Sequence, residues 1–389
     1  MRIVEQIVPV PVSSKPRLLY LVTEDWYFLS HRLPMACAAQ RAGYEVHVAT
    51  RVVGRGTEIE SYGFRLHPLR WERGSANPVA LLSIIGQVRA LYRRINPDLV
   101  HHVALQPSLI GSLAAIGLPF RRVNALAGLG FGFTSADFKA RMLRPILRML
   151  LRLAIRNKYA ATLVQNPDDR RAIEALGGDR SRLFLIPGSG VDTNAFTPRP
   201  EAPGQITVAF VGRLLADKGV HSLIAAHQLL ASRGQNIQLI IAGDRDPANP
   251  ASIPADEVEQ WRRLPGVELP GHVSDIQDVW NRAHIAVLPS RREGLPKSLL
   301  EAASCGRPIV ATDVPGSREI ARKDVNAILV APDDVEGLAD AISRLAGDPA
   351  LRKRFGEAGR RLVEAEFSSE KIGWETVALY DQLLGRSPS

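Results

Sequence analysis

The stretch Ile206-Thr-Val-Ala-Phe-Val-Gly-Arg-Leu-Leu-Ala-Asp-Lys-Gly219 decides how the chain is read. An apolar, β-branched run ending at Val211 makes a buried strand. Gly212 permits a sharp turn. Arg213 and Lys218 follow it, ahead of a helical stretch at His221–Arg233. Strand, short turn and helix in this order are the repeating piece of a parallel sheet covered by helices. Taken alone, the turn has two readings. It is a diphosphate site of two cations and a helix N-terminus, or a solvated loop with ordinary surface charge.

The same alternation extends in both directions. Before this stretch, strands are expected at Arg17–Thr23, Glu45–Thr50, Phe64–Pro68, Asp98–His102, Val123–Ala127 and Thr162–Gln165, with Gly43 ending the helix Leu33–Ala42. After it come Gln238–Ala242, Val267–Leu269, Ile285–Leu288, Pro308–Ala311 and Ala327–Val330, with helices at Ser298–Cys305 and Val335–Ala346. Between the two sets lies the proline-rich segment 197–204, which reads as a linker. The expectation is an α/β protein of two doubly wound, Rossmann-like domains facing a cleft, with ligands at the carboxyl ends of the strands. Residues 1–196 form the first, 205–370 the second, and the last helix within 371–389 returns to the first.

A chain of 389 residues suits two such domains, and 46% hydrophobic with 23% charged residues is globular composition. Two cysteines, Cys37 and Cys305, argue against a disulfide scaffold and for a reducing compartment. The start of the chain lacks a signal-peptide pattern. The apolar stretch from Val103 to Phe120 contains Gln106, prolines and serines, so it reads as buried strand and helix and not as a membrane span. The net charge of +9 is uneven. Residues 1–195 carry 26 Lys and Arg against 14 Asp and Glu, and the remainder 23 against 26. The basic half calls for an anionic partner.

A second segment, Pro289-Ser-Arg-Arg-Glu-Gly-Leu-Pro-Lys-Ser-Leu-Leu-Glu301, follows the strand Ile285–Leu288. Its loop can offer backbone N–H groups, and Glu301 enters the following helix. A carboxylate accepting from a ribose diol gains about 1.5–3 kcal/mol per charge-assisted bond. The alternative makes Glu301 a charge that complements the helix dipole.

In order along the chain, Gly-Arg-x4-Lys-Gly, Pro-Ser-x2-Glu-Gly-x6-Glu-Ala, Gly306-x-Pro308 and Gly316-x2-Glu319 resemble family-4 retaining glycosyltransferases of the B-type (GT-B) fold. The resemblance covers nearly the whole chain. It implies that Gly212, Arg213 and Lys218 hold a donor diphosphate and that Glu301 binds the nucleotide ribose. Glu293 and the backbone of Gly294, Leu295, Pro296 and Lys297 would face the transferred sugar, and His272 and Val273 would line the base. Catalysis would rest on Arg213, Lys218 and Glu293, with no metal and no other cofactor.

Asp244-Arg-Asp246 has the shape of a metal–diphosphate motif but stands where the family has a Gly-Asp turn. Gly128-Leu-Gly-Phe-Gly132 lacks the third spaced glycine of a dinucleotide fingerprint. Two departures, Gly128 in place of a sugar-facing histidine and Glu24–Arg32 in place of a glycine pair, resemble bacterial enzymes acting on lipid-linked or surface-polysaccharide glycans. They imply an acceptor site at His31, Arg32, Gly128 and Gly130. His31 has an alternative role as a helix-start histidine, and His101 and His102 read as packing residues.

From Lys139 to Lys158, arginines at 141, 144, 148, 152 and 156 share one helix face. Such a helix can lie on an anionic bilayer at about 1 kcal/mol per basic residue, or pack with its basic face in solvent. No nucleic-acid module is evident. The expected function is transfer of a hexose or N-acetylhexosamine from a nucleotide-diphosphate sugar, a UDP-sugar, to a polyprenyl-linked glycan, at the cytoplasmic face of the membrane. The alternatives are a nucleotide-sugar epimerase or a catalytically silent sugar-nucleotide or membrane-binding protein.

Overall fold

A computed structural model describes residues 15–71, 77–126 and 138–387, with side chains from 145 onward in the helix that opens at Phe138. Its contacts divide the chain into two compact units. One runs to Ser189 and resumes at Glu370, and the other is Gly190–Ser369.

In the first unit, β1 (Arg17–Glu24), β2 (Glu45–Arg51), β3 (Arg65–Pro68), β4 (Leu99–Val103), β5 (Arg121–Leu126), β6 (Ala160–Val164) and β7 (Leu183–Leu185) pair in parallel. Their order is β3-β2-β1-β4-β5-β6-β7. In the second, β8 (Thr207–Val211), β9 (Gln238–Ala242), β10 (Val267–Gly271), β11 (Ile285–Leu288), β12 (Ile309–Thr312) and β13 (Ala327–Val330) follow the matching order β10-β9-β8-β11-β12-β13. Helices cover both faces of such sheets, so the strands are apolar throughout and do not alternate. Leu18–Val22 and all of Ile285–Leu288 are buried.

The break between units falls at Ser189/Gly190 and not in the proline-rich segment. Three contacts explain why the chain before and within that segment stays with the second unit. Val191 exchanges backbone hydrogen bonds with Phe367 and Ser369, Arg360 donates to the carbonyls of Thr193 and Phe196, and Arg352 grips Glu201 through both carboxylate oxygens. Composition alone signals a linker there, but these long-range bonds anchor it.

The helix Ser369–Leu384 buries Ile372, Val377, Leu379 and Tyr380 in the core of the first unit. A Cβ at Gly373 would stand 2.9 Å from that of Ala38, so the two helices meet closely there. A buried polar relay fixes the register of this helix. Tyr380 Oη lies 2.9 Å from Tyr20 Oη and 2.6 Å from His101 Nδ1, and Tyr44 donates to Asp381 at 2.7 Å. His102 is likewise held in the core, Nδ1 to Asn124 Oδ1 at 2.7 Å and Nε2 to the Tyr92 hydroxyl at 2.8 Å. Burial pushes His102 down to about 4 and His101 well below the usual histidine range, so both rings are neutral at pH 7. These histidines pack; they are not poised for proton transfer.

Candidate functional site

The strand order of the second unit reverses between β8 and β11, and the two motifs quoted above leave the carboxyl ends of these two neighbours. In doubly wound sheets this is where ligands bind. The turn after β8 is stitched to that after β9: Gly212 N–H donates to Ala242 O and Leu214 N–H to Asp244 O, each at 2.9 Å. Gly243, at φ +144°, passes so close that a Cβ there would sit 2.0 Å from Gly212 O. Lys218 ends a single 3-10 turn, Ala216–Lys218, and Gly219 opens the helix Val220–Ser232 at φ +72°. Only glycine suits that position, because a Cβ would fall 2.0 Å from Pro289 O.

The two loops therefore cross backbone to backbone, and the crossing delivers Lys218 to Glu293. The Nζ–Oε1 distance is 2.6 Å, with Glu293's side chain only 8% exposed. Arg291 N–H donates to Asp217 O at 2.9 Å, and Arg292 pairs with the Asp217 carboxylate. On its far side the Glu293–Gly294 backbone meets Gly316, at φ +80°, where a Cβ would be 2.3 Å from Gly294 O.

Pro296 precedes the helix Lys297–Ser304. Glu301 is the fifth residue of that helix, beyond the first turn in which the dipole acts strongly, and it is 6% exposed. Burial pushes its carboxyl above the usual range, partly offset by Lys297, whose Nζ is 3.5 Å away, and by the neighbouring Trp280 indole. A desolvated carboxylate beyond the first turn gains little from the helix dipole, so the dipole-complement reading loses ground. His272 lies exposed just past β10, and Val273, half-buried, packs on the core.

Arg213 is paired with Asp246, Nη1 to Oδ2 at 2.6 Å. Asp246 is thus a counter-ion to a site cation. Among the described residues no three His, Cys, Asp or Glu side chains converge as a metal cluster would. Arg213, Lys218 and Glu293 all stand at the carboxyl ends of β8 and β11, with Glu301 on the helix that follows.

The residues expected to meet an acceptor are in the first unit. Glu24–Arg32 is largely the helix Asp25–His31, and buried Asp25 accepts from the backbone N–H of Trp26, Val53 and Arg55 at its start. His31 stacks on Tyr27 with ring centroids 4.2 Å apart. Arg32 is 1% exposed and turns inward, donating to His31 O and to Met35 Sδ. Gly128 and Gly130 lie outside the described residues.

Sequence reasoning missed three features. Asp246 as partner of Arg213 had a signal in its place after β9. Gly316, whose backbone backs Glu293, was visible only as motif spacing. Ala104, directly after β4, has φ 74° and ψ 173°, a region that glycine alone adopts freely. An alanine carries no hint of this.

The helix Phe138–Ile155 buries Leu151, Ala154 and Ile155 and leaves Ile146, Met149 and Leu153 more than half exposed, beside exposed Arg148 and Arg152. Its outer face is therefore mixed apolar and basic. No helix among the described residues is long and apolar enough to cross a membrane.

Residues 205–348 match the family model for glycosyl transferases group 1, and residues 17–161 that for glycosyl transferase 4-like proteins. The capsular polysaccharide biosynthesis glycosyltransferase CapM of Staphylococcus aureus is 25% identical over 90% of this chain and 92% of its own. The N,N'-diacetylbacillosaminyl-diphospho-undecaprenol alpha-1,3-N-acetylgalactosaminyltransferase of Campylobacter jejuni is 23% identical over 92% and 98%. Among solved structures, Anabaena HepE in complex with UDP and glucose superposes with a TM-score of 0.75 at 18% identity, over 94% of this chain and 99% of that one.

Proposed function

The chain belongs to the family-4 glycosyltransferases of the GT-B fold, and from that premise we propose that it moves a hexose or N-acetylhexosamine from a UDP-sugar, with retention, to a lipid-linked glycan. As a hexosyltransferase it takes part in surface-polysaccharide or related glycan assembly, as its relatives do. The observation that carries the donor half is the Lys218–Glu293 pair at the crossing of the β8 and β11 loops. A diphosphate entering there meets Lys218 and Arg213, each already oriented by a carboxylate. Glu301, desolvated and held beside Lys297, is suited to the ribose diol. UDP as the carrier draws on the HepE complex, and the lipid-linked acceptor on the Campylobacter enzyme.

In the proposed reaction the acceptor hydroxyl oxygen attacks the anomeric carbon on the face from which the diphosphate departs. The bond from that carbon to the diphosphate oxygen breaks, and the acceptor proton passes to the leaving oxygen. Arg213 and Lys218 stabilise the charge that gathers on the diphosphate, the role a metal would otherwise fill. The mixed apolar and basic face of the helix Phe138–Ile155 would rest on an anionic membrane surface.

The test is incubation of the full-length chain with UDP-sugars and a polyprenyl-diphosphate saccharide, with and without EDTA. The expected outcome is an EDTA-resistant α-linked product from an α-linked donor. An inverted linkage would refute retention, and conversion of donor without acceptor would favour an epimerase.

A further inference from the structure

The second unit holds a cavity of about 790 Å³ on the amino-end side of its sheet. Its walls come from Pro198–Glu201, which precede β8, from Cys305–Arg307, which precede β12, and from the helix Pro349–Glu366. It therefore opens at the amino ends of the strands, away from the carboxyl-end site described above.

Arg199, Arg307, Arg352, Lys353, Arg360 and Arg361 line it, against two carboxylates, Glu201 and Glu357. Two of these cations hold the fold. Arg352 is bidentate to Glu201 and caps the carbonyls of Leu345 and Ala346, while Arg360 binds Glu364 and the carbonyls of Thr193, Phe196 and Ser304. Arg199, Lys353 and Arg361 are not used in this way. Among the described residues Arg199 and Lys353 have no ion-pair partner, and Arg361 reaches Glu357 only at 4.0 Å.

Arg307 is the telling residue. It is 2% exposed, its Nη2 donates to Arg199 O at 3.0 Å, and its Nε has no hydrogen-bond partner. A buried guanidinium with an unpaired Nε, whose neighbouring carboxylate Glu201 is already bidentate to Arg352, is costly unless an anion completes it. The rest of the wall is donor-poor: Pro198, Pro200 and Pro349, with the helix backbone at Gly356 packed directly on Gly306 O. Such a wall suits an uncharged body, and the volume is that of a small-molecule site, not of a bare ion. The remaining thiol, Cys305, is pushed up to about 12 by burial and is inert at neutral pH, so nothing covalent is expected there.

We propose that this cavity is a second ligand site, for a small molecule that joins a phosphoryl group to an uncharged polar body, as a sugar phosphate does. The phosphoryl group sits against Arg307, Arg199 and Lys353, which offer the forked and point-charge donors that phosphate binds.

The full-length protein should be titrated calorimetrically with glucose 6-phosphate, with inorganic phosphate and with phosphatidylglycerol vesicles. The same titrations are run on R199E/K353E, whose two positions are exposed and leave the Arg307, Arg352 and Arg360 contacts intact. Glucose 6-phosphate is expected to bind in the presence of saturating UDP, more tightly than inorganic phosphate, and about tenfold or more weaker in the variant, with UDP affinity unchanged. Displacement by UDP, equal binding by the variant, or no binding of glucose 6-phosphate would overturn the proposal. Inorganic phosphate binding as tightly as the sugar phosphate would do so too, as would vesicle binding through these residues in place of the soluble compound.

Discussion

Replacing Glu301 by Gln separates a ligand-binding carboxylate from a structural one. The side chain keeps its size, so no cavity forms, and what changes is charge and one acceptor oxygen. If the carboxylate holds a ribose diol, one charge-assisted bond is lost and the other becomes a neutral one. The combined loss is about 2.5–4 kcal/mol, or about 60- to 700-fold in affinity. The unliganded protein should respond in the other direction. Burial raises the Glu301 pKa, so its ionisation costs stability; that cost appears as pH rises above 4.5 through the raised value and stays constant beyond it. Glutamine removes the cost, and the variant should unfold at the same or a higher denaturant concentration at pH 7. Donor binding has the matching sign. The wild type needs the carboxylate, so its UDP affinity should weaken relative to the variant's as pH falls through the raised pKa, earlier than for an ordinary glutamate. Calorimetry with UDP from pH 5 to 8, beside urea melts, reads both effects. An affinity change under about threefold together with a less stable variant would refute the reasoning and return Glu301 to a structural role.

Lys218→Ala should lower turnover by about 100- to 1000-fold, but it also strands Glu293, whose side chain is 8% exposed, and so should destabilise the fold. Adding Glu293→Gln should restore the urea midpoint without restoring transfer; recovery of transfer in the double variant would remove Lys218 from the donor site. Ala104→Gly should raise unfolding free energy by about 1 kcal/mol by relieving the strained backbone after β4, and a loss of stability in urea melts would count against that strain. Replacing Arg148 and Arg152 by Gln should weaken sedimentation with phosphatidylglycerol vesicles by about 2 kcal/mol, or about 30-fold, whereas unchanged partitioning would leave the helix a solvent-facing one.

The parts of the fold that were legible from sequence are those where local composition and burial agree. Ile285–Leu288 and Gln238–Ala242 are apolar runs between turn residues, and they are strands with the expected bounds. The β7 strand, Leu183–Leu185, escaped because three residues carry no period. The helix Pro349–Glu366 is hard to read from sequence, though Asp348 caps it and Pro349 opens it, since its charged residues hide a narrow buried stripe at Leu351, Phe355, Leu362 and Val363. In the site, the glycines were readable as turns but their partners were not. Nothing in the sequence says that Gly219 must clear Pro289 O or that Gly316 must clear Gly294 O, because those contacts join segments far apart in the chain. The counter-ions were hidden for the same reason.

Those counter-ions change how the donor half should work. The four residues read from sequence as two cations and two carboxylates are, in the folded chain, Lys218 paired with Glu293 in a part-buried contact, Arg213 paired with Asp246, and Glu301 buried beside Lys297. Both carboxylates are largely shielded, Asp246 at 12% and Glu293 at 8% side-chain exposure, so breaking either pair would leave a carboxylate poorly compensated. The economical arrangement keeps Lys218 bound to Glu293 while its remaining two N–H groups turn to the phosphate. On this account Glu293 acts by aiming Lys218 as well as by facing the sugar. Substituting Glu293 with Gln should then weaken diphosphate binding even with UDP, which has no sugar to contact, and calorimetry with UDP measures it directly. A Glu293→Gln variant that binds UDP normally and loses only the sugar nucleotide's extra affinity would confine Glu293 to the sugar.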